Sequence, residues 1–260
     1  MNQGLTLCSL GSGSAGNAVY VSDGETSVLI DAGFSGKELQ GRMALAGLDP
    51  ASVRAVVVTH EHQDHLRGVG ILCRRLSAAA WFSRETFQAS RQAVGKLVDV
   101  NLFSPGKQFT VGKLSFAPFS TSHDAADPVG FTVTGGGVKI GIATDLGVAT
   151  KVVAHHLQGC RAILLEANHD PKMLEEGPYP WHLKQRVRSR LGHLSNQDSR
   201  DLLGSVLSPC LGHIILGHLS ETNNRPEIAL SVVGEALNGH RAELFAASQG
   251  EPAKVVHVKA

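Results

Sequence analysis

Six consecutive residues, His60-Glu61-His62-Gln63-Asp64-His65, carry three imidazoles and a carboxylate suited to ligation. Folding alone has no use for histidine at that density, and histidine is the commonest metal ligand in proteins. An apolar run, Ala55-Val56-Val57-Val58, precedes them and reads as a buried strand that delivers a ligand-rich loop. Three more residues of ligand type fall the same way. His123 follows the apolar stretch 114–119, Asp145 follows 138–143, and His218 follows 214–216. Loops at strand ends are where α/β proteins build sites, and four such loops point to convergence. His60, His62, Asp64, His65, His123, Asp145 and His218 together offer nitrogen and oxygen donors without sulfur. That set suits zinc first, with manganese or iron as the other fits. Two such ions about 3.5–4 Å apart generate a nucleophile from water at neutral pH and clamp an in-line displacement. The expected chemistry is two-metal hydrolysis.

The elements that must position these residues are read from pattern and punctuation. Strands are expected over 5–10, 18–21 and 27–30, with a glycine-rich turn over 11–17 and a hairpin at Asp23-Gly24. A helix over 35–46 starts at Ser35. The strand 53–58 leads through the histidine loop into a helix over 66–76. Strands follow over 100–103, 108–119, 130–135 and 137–143, with Gly135-Gly136-Gly137 as a hairpin turn. Helices are expected over 146–157, 181–191, 195–207 and 226–237, and strands over 161–166, 211–216, 242–246 and 254–258. Ser195 and Asp198 have the spacing of a capping box. Each half of the chain begins with strands and goes on to mixed α and β. Two mixed β-sheets packed face to face with helices outside satisfy that order, within one domain spanning 1–260.

Composition narrows the class. The chain has 260 residues, 42% hydrophobic and 18% charged, which is an ordinary globular balance. A formal net charge of +1 does not advertise a nucleic-acid binder, so such a role must come from a local patch. Cys8, Cys73, Cys160 and Cys210 form no C-x-x-C pair, which excludes a cysteine zinc ribbon. All four lie in or beside apolar runs, as buried reduced thiols do, and suit the cytoplasm. No basic, apolar leader is expected at Met1-Asn2-Gln3-Gly4, and no run of about 18 apolar residues suggests a membrane span. Oligomeric state is open.

Thr59 to His65 with Gly68 resembles the T-H-x-H-x-D-H-x-x-G element of the metallo-β-lactamase superfamily. Asp31, in Leu29-Ile30-Asp31-Ala32-Gly33, is similar to that superfamily's first element. His123, Asp145 and His218 match its third, fourth and fifth in order. The resemblance spans essentially the whole chain and implies the αβ/βα four-layer sandwich of that superfamily. It also implies two divalent ions. His60, His62 and His123 would hold the first, and Asp64, His65 and His218 the second. Asp145 would bridge them beside a bridging hydroxide, and Asp31 would accept an imidazole N–H from behind the ligands.

Fold does not decide among the superfamily's chemistries. His62 stands where the redox branch usually carries a carboxylate, which implies hydrolysis. Four stretches, 11–17, 123–128, 165–196 and 218–224, resemble the YycJ/WalJ branch, whose members look like metal-dependent phosphodiesterases and exonucleases acting on DNA. Gly192-His193-Leu194-Ser195 also resembles the Gly-His-Ser-Thr of ribonuclease Z, which implies that His193 faces the scissile phosphate. An imidazole there can protonate a leaving oxygen or stabilise phosphoryl charge. Glu166 is placed as the holder of its tautomer, and Asp64 joins His193 and Glu166 as catalytic. The segment 181–197 has no acidic residue, and Lys184, Arg186, Arg188 and Arg190 flank a core stripe of Leu183, Val187 and Leu191. These four basic residues are expected to form a phosphate track, with Lys184 and Arg188 binding substrate, and Ser220 and Asn223 in the pocket. The expectation is a binuclear phosphodiesterase acting on nucleic acid, DNA ahead of RNA. The alternatives are a thioesterase or glyoxalase II-like hydrolase, a ribonuclease or cyclic-phosphodiester hydrolase, and a non-catalytic nucleic-acid-binding module.

Overall fold

A computed structural model of the chain describes residues 4–259. The leader expectation concerns Met1 to Gln3, which lie outside the described residues. The chain forms strands β1 (Gly4–Gly11), β2 (Ala18–Ser22), β3 (Ser27–Ile30), β4 (Val53–Val57), β5 (Ala79–Ser83) and β6 (Val100–Phe103). These assemble one sheet in the order β14-β1-β2-β3-β4-β5-β6, closed at one edge by β14 (Val256–Lys259). A second sheet runs β13-β12-β11-β10-β9-β8-β7. Its strands are β7 (Phe109–Val111), β8 (Leu114–Ser120), β9 (Val129–Gly135), β10 (Val138–Ala143), β11 (Ala162–Glu166), β12 (His213–Gly217) and β13 (Glu243–Ala246). Each sheet starts antiparallel and turns parallel, from β3 to β6 in the first and from β10 to β13 in the second.

The sheets pack face to face. Leu7, Val21, Ile30 and Val57 of the first meet Phe116, Phe131, Ile140 and Leu164 of the second in one core. On the outer face of the first sheet lie α1 (Gly36–Leu45), α3 (Val69–Leu76) and α4 (Arg84–Val94). On that of the second lie α5 (Lys151–Leu157), α8 (Asn196–Val206) and α9 (Pro226–Gly234). The result is four layers, α/β/β/α. Strands covered on both faces need apolar residues at every position. In β4 and just beyond it, Ala55 and Val57 enter the central core while Val56 and Val58 enter the helix-covered one. Among the described residues no helix is long and apolar enough to cross a membrane.

Several elements differ from the expectation. The helix expected over 66–76 begins earlier and is broken, into α2 (Gln63–Leu66) and α3. Gly68 sits at the break and donates to the Ala32 carbonyl, and a Cβ there would run into the Phe34 carbonyl. Asp64 and His65 therefore sit on a helical turn. The helix expected over 146–157 covers only α5, capped by Thr150, because Leu146 and Gly147 donate their N–H groups to Glu166 and the Ser122 carbonyl. The strand 108–119 is a β7–β8 hairpin turned at Gly112, whose φ is +57°. β5, α4 and α6 (Pro171–Glu176) were not expected. The helix expected over 181–191 is α7 (Trp181–Arg188), and none of its residues is buried. Its apolar stripe is not core: Leu183 and Val187 line a cleft, and Leu191 is exposed.

Candidate metal centre

The two sheets open at one common edge, built mainly from the ends of their parallel strands and from the end of antiparallel β8. Asp31 follows β3, Thr59 and His60 follow β4, His123 follows β8, Asp145 follows β10, Glu166 ends β11, and His218 follows β12. Five described non-glycine residues have φ in the left-handed region, and three of them are Asp31 (62°), Asp145 (59°) and His218 (55°). Asp and His tolerate that region better than most residues. The strain turns each side chain inward as its strand ends, and such strain persists only where surrounding contacts enforce it.

Two groups result. Ligand atoms of His60, His62 and His123 lie within 4.8 Å of one another, and so do those of Asp64, His65 and His218. Asp145 reaches both: its Oδ1 is 3.7 Å from His123 Nε2, and its Oδ2 is 3.4 Å from His65 Nε2.

The far side of each ring is held. Thr59 donates its hydroxyl to Asp31 Oδ2 (2.8 Å), so its oxygen accepts from His60 Nδ1 at 2.9 Å. His65 Nδ1 donates to Asp31 Oδ2 (2.7 Å), His123 Nδ1 to the Gly192 carbonyl (3.1 Å), and His218 Nδ1 to Glu166 Oε1 (3.0 Å). In each of these four rings Nε2 is left as the inward atom. His62 is reversed, with Nε2 on the Asp124 carbonyl at 3.2 Å. Partners behind a ring fix its tautomer and orientation. The inward His60 Nε2, His218 Nε2 and Asp145 Oδ2 are buried without a hydrogen-bond partner. Buried lone pairs facing one another are costly unless a cation takes them. The donor set fits divalent metal.

The electrostatics agree. Burial pushes the His60 imidazole well below its ordinary range, and the neighbouring His65 adds to this, so it is neutral as a ligand must be. Around Asp145 the balance reverses. Burial alone would lower His218, but Asp145, Asp64 and Glu166 outweigh it and raise the ring to about 10. His65 is raised well above its range in the same way, by Asp145 and Asp31 against burial. Buried carboxylates here call for positive charge, which bound cations supply in place of protons.

A family profile described as "Beta-lactamase superfamily domain" matches residues 26–203. The chain belongs to that superfamily. It is 34% identical over 263 residues to exodeoxyribonuclease YycJ of Bacillus anthracis, covering 98% of this chain and all of that one. It is 36% identical over 230 residues to exodeoxyribonuclease WalJ of Streptococcus pneumoniae, covering 87% and 86%. Zn(2+)-bound PqqB from Methylobacterium extorquens shares the fold, with a TM-score of 0.71 at 18% identity over 96% and 99% of the two chains.

Beside the two groups of this superfamily member lies a cleft that includes His193, Asn168, Ser220, Asn223 and Arg186. His193 is 20% exposed, and its Nδ1 is 2.8 Å from Glu166 Oε1. Its backbone N–H donates to the Val187 carbonyl, so the main chain caps α7 while the imidazole faces the cleft. Glu166 is fully buried. Oε1 takes His193 and His218, and Oε2 takes the backbone N–H groups of Leu146 (2.8 Å) and Leu194 (3.1 Å). Burial would raise its pKa, but His193 and His218 outweigh that and bring it down to about 2. With both oxygens engaged, Glu166 orients rings and has no free oxygen for a cation.

Lys184 and Arg188 do not line the cleft; Lys184 donates to the Glu175 carbonyl instead. Sequence reasoning did not single out Asn17, whose amide nitrogen lies 3.2 Å from Asp64 Oδ2 and 3.1 Å from His65 Nε2. It also gave no role to Thr59 or Asp124, and it placed Arg186 only among the four basic residues of a phosphate track, without setting it apart. Thr59 and Asn17 stand inside the stretches quoted above, which was the available signal.

Proposed function

We propose that this chain is a two-metal phosphodiesterase that degrades DNA as an exonuclease, acting as one domain in the cytoplasm. One observation carries it: two groups of converging ligand atoms, each with one buried atom that has no hydrogen-bond partner (His60 Nε2 and His218 Nε2), adjoin a cleft that holds a carboxylate-held imidazole and an arginine. Relatives named exodeoxyribonucleases that align along most of the chain point the same way. The free thiols accord with a reducing compartment.

His60, His62 and His123 would hold one divalent ion and Asp64, His65 and His218 the other, with Asp145 shared and zinc the first candidate. Such ions supply a nucleophilic oxygen from water at neutral pH and neutralise phosphoryl charge. Asp31 and Thr59 keep the imidazoles aimed. Glu166 holds Nδ1 of His193, which leaves Nε2 to protonate the departing oxygen or stabilise charge on the phosphoryl group. Asp64 would complete the catalytic set as a holder of the second ion. Ser220 and Asn223, which line the cleft, would contact the nucleotide, while Lys184 and Arg188 of α7 lie outside its lining. A thioester substrate leaves His193 and Arg186 without a task.

The test is hydrolysis of bis-p-nitrophenyl phosphate and end-labelled DNA, with and without chelator, alongside metal analysis. Cleavage of DNA from an end, lost with chelator and restored by zinc or manganese, is expected. No metal-dependent cleavage of either substrate refutes the proposal. His193→Ala is expected to lower kcat and spare metal content.

A further inference from the structure

A second charged pair sits at the mouth of the same cleft. The Asp124 carboxylate lies over the first ligand group, with Oδ1 3.4 Å from His123 Nε2 and 4.0 Å from His62 Nε2. Its Oδ2 accepts from Arg186, 2.7 Å from Nε and 2.6 Å from Nη2. Arg186 projects from α7, 59% exposed, among the residues that line the cleft. Exposed ion pairs add little to stability, and α7 buries none of its residues, so folding does not account for the pair. Its location suggests another use. A lone aspartate there would repel a polyanion, and Arg186 cancels that charge. A guanidinium carries five N–H donors in a rigid fork; Asp124 takes two, and three remain.

We propose that Arg186, fixed by Asp124, grips the backbone phosphate adjacent to the scissile one. The proposal rests on the reading of this chain as a nuclease. The scissile phosphate belongs between the two ligand groups and His193. The His123 ring lies 5.1 Å from His62, on the Asp124 side, and 5.0 Å from His193. Asp124 links His123 to Arg186, with Oδ1 3.4 Å from His123 Nε2 and Oδ2 2.6 Å from Arg186 Nη2, so the guanidinium stands one carboxylate's width beyond His123, in reach of the phosphate next to one held at the centre. None of the other basic residues of 181–197 lines the cleft. Arg186 is a substrate-binding residue in this scheme and Asp124 a positioning residue. A planar fork suits a phosphate better than an ammonium does, so lysine is not an equivalent.

The experiment compares the metal-loaded full chain with Arg186→Ala, Arg186→Lys and Asp124→Asn on labelled DNA and on bis-p-nitrophenyl phosphate. The small diester has no neighbouring phosphate. Arg186→Ala is expected to raise KM for DNA about tenfold more than KM for the small diester. It should also flatten the plot of log kcat/KM for DNA against log salt by about 0.7–0.9, the signature of one lost phosphate contact. Arg186→Lys restores the salt slope but only part of the affinity. Asp124→Asn keeps the shape, frees the guanidinium, and raises KM for DNA less than Arg186→Ala does. An equal effect of Arg186→Ala on both substrates, or an unchanged salt slope, overturns this proposal and leaves the nuclease reading intact. Failure of the unaltered metal-loaded protein to cleave DNA overturns the nuclease reading first.

Discussion

Replacing Glu166 by glutamine tests the logic of the centre, because it changes one buried atom and removes a charge without changing shape. Glu166 accepts four N–H groups, two on each oxygen. A glutamine amide has only one acceptor oxygen, so its NH2 must face two donors whichever way it turns. The backbone N–H groups of Leu146 and Leu194 cannot change their chemistry, so the oxygen stays with them. The NH2 then faces the Nδ1 atoms of His193 and His218. Both rings can accept only by giving up the proton on Nδ1, so a neutral ring must then carry its proton on Nε2. For His218 that proton lands on the inward atom that is buried without a partner and available for a metal. The cost follows. Two hydrogen bonds to a charged group, at about 1.5–3 kcal/mol each, give roughly 3–6 kcal/mol before the rings rearrange. Affinity for the second ion is expected to fall about 10–100-fold, as when a partner behind a ligand is lost. kcat is expected to fall by about 10²–10⁴ through His193. Denaturant unfolding of metal-free protein, metal titration and single-turnover cleavage measure the three separately. A variant that is less stable but binds the second ion with unaltered affinity would refute the tautomer argument, since Glu166 would then serve folding alone.

Three further outcomes are expected. Asp31→Asn keeps a residue that tolerates the left-handed backbone but loses the charge that His65 and Thr59 meet, so second-ion affinity should drop about 10–100-fold in a metal titration. Gly33→Ala puts a Cβ against the Asp64 carbonyl and the Asn17 amide, so it should lower both thermal stability and metal content; retention of both would contradict the packing described. Burial pushes the thiols of Cys8, Cys73 and Cys160 up to about 12, while the unfolded chain ionises them from about pH 9. The native state then holds the protons that the unfolded state loses, so stability is intact below pH 9. It falls by about 1.4 kcal/mol per thiol per pH unit between about 9 and 12. Denaturant midpoints at pH 8 and pH 10 check the slope.

The sequence was most legible where chemistry restricts residue type. Ligand donors come from a few side chains, so His60 to His65, His123, Asp145 and His218 stood out, and the structure gathers them at one edge of two sheets. β4 was visible because a strand covered on both faces must be apolar throughout. α6 was missed although Asp170 caps it and Pro171 opens it, signals that were present in the sequence. β5 and α4 were missed although Ser83 caps α4, because the buried face of α4 is Thr86, Ser90 and Val94, two of them polar. The apolar stripe of α7 was misread because helical spacing reveals that a face exists, not what it meets.

Residue type and order thus determined the candidate ligands, the alternation of elements and the two-sheet architecture, since these depend on local pattern and donor chemistry. Only the tertiary structure decided which nitrogen of each imidazole faces inward. That depends on a hydroxyl, a carbonyl and two carboxylates brought from Thr59, Gly192, Asp31 and Glu166. It likewise decided that Arg186, rather than Lys184 or Arg188, turns to the cleft. A carbonyl has no residue signature, and the rotation of a helix about its axis is set by what it docks on, so neither could be read from the chain alone.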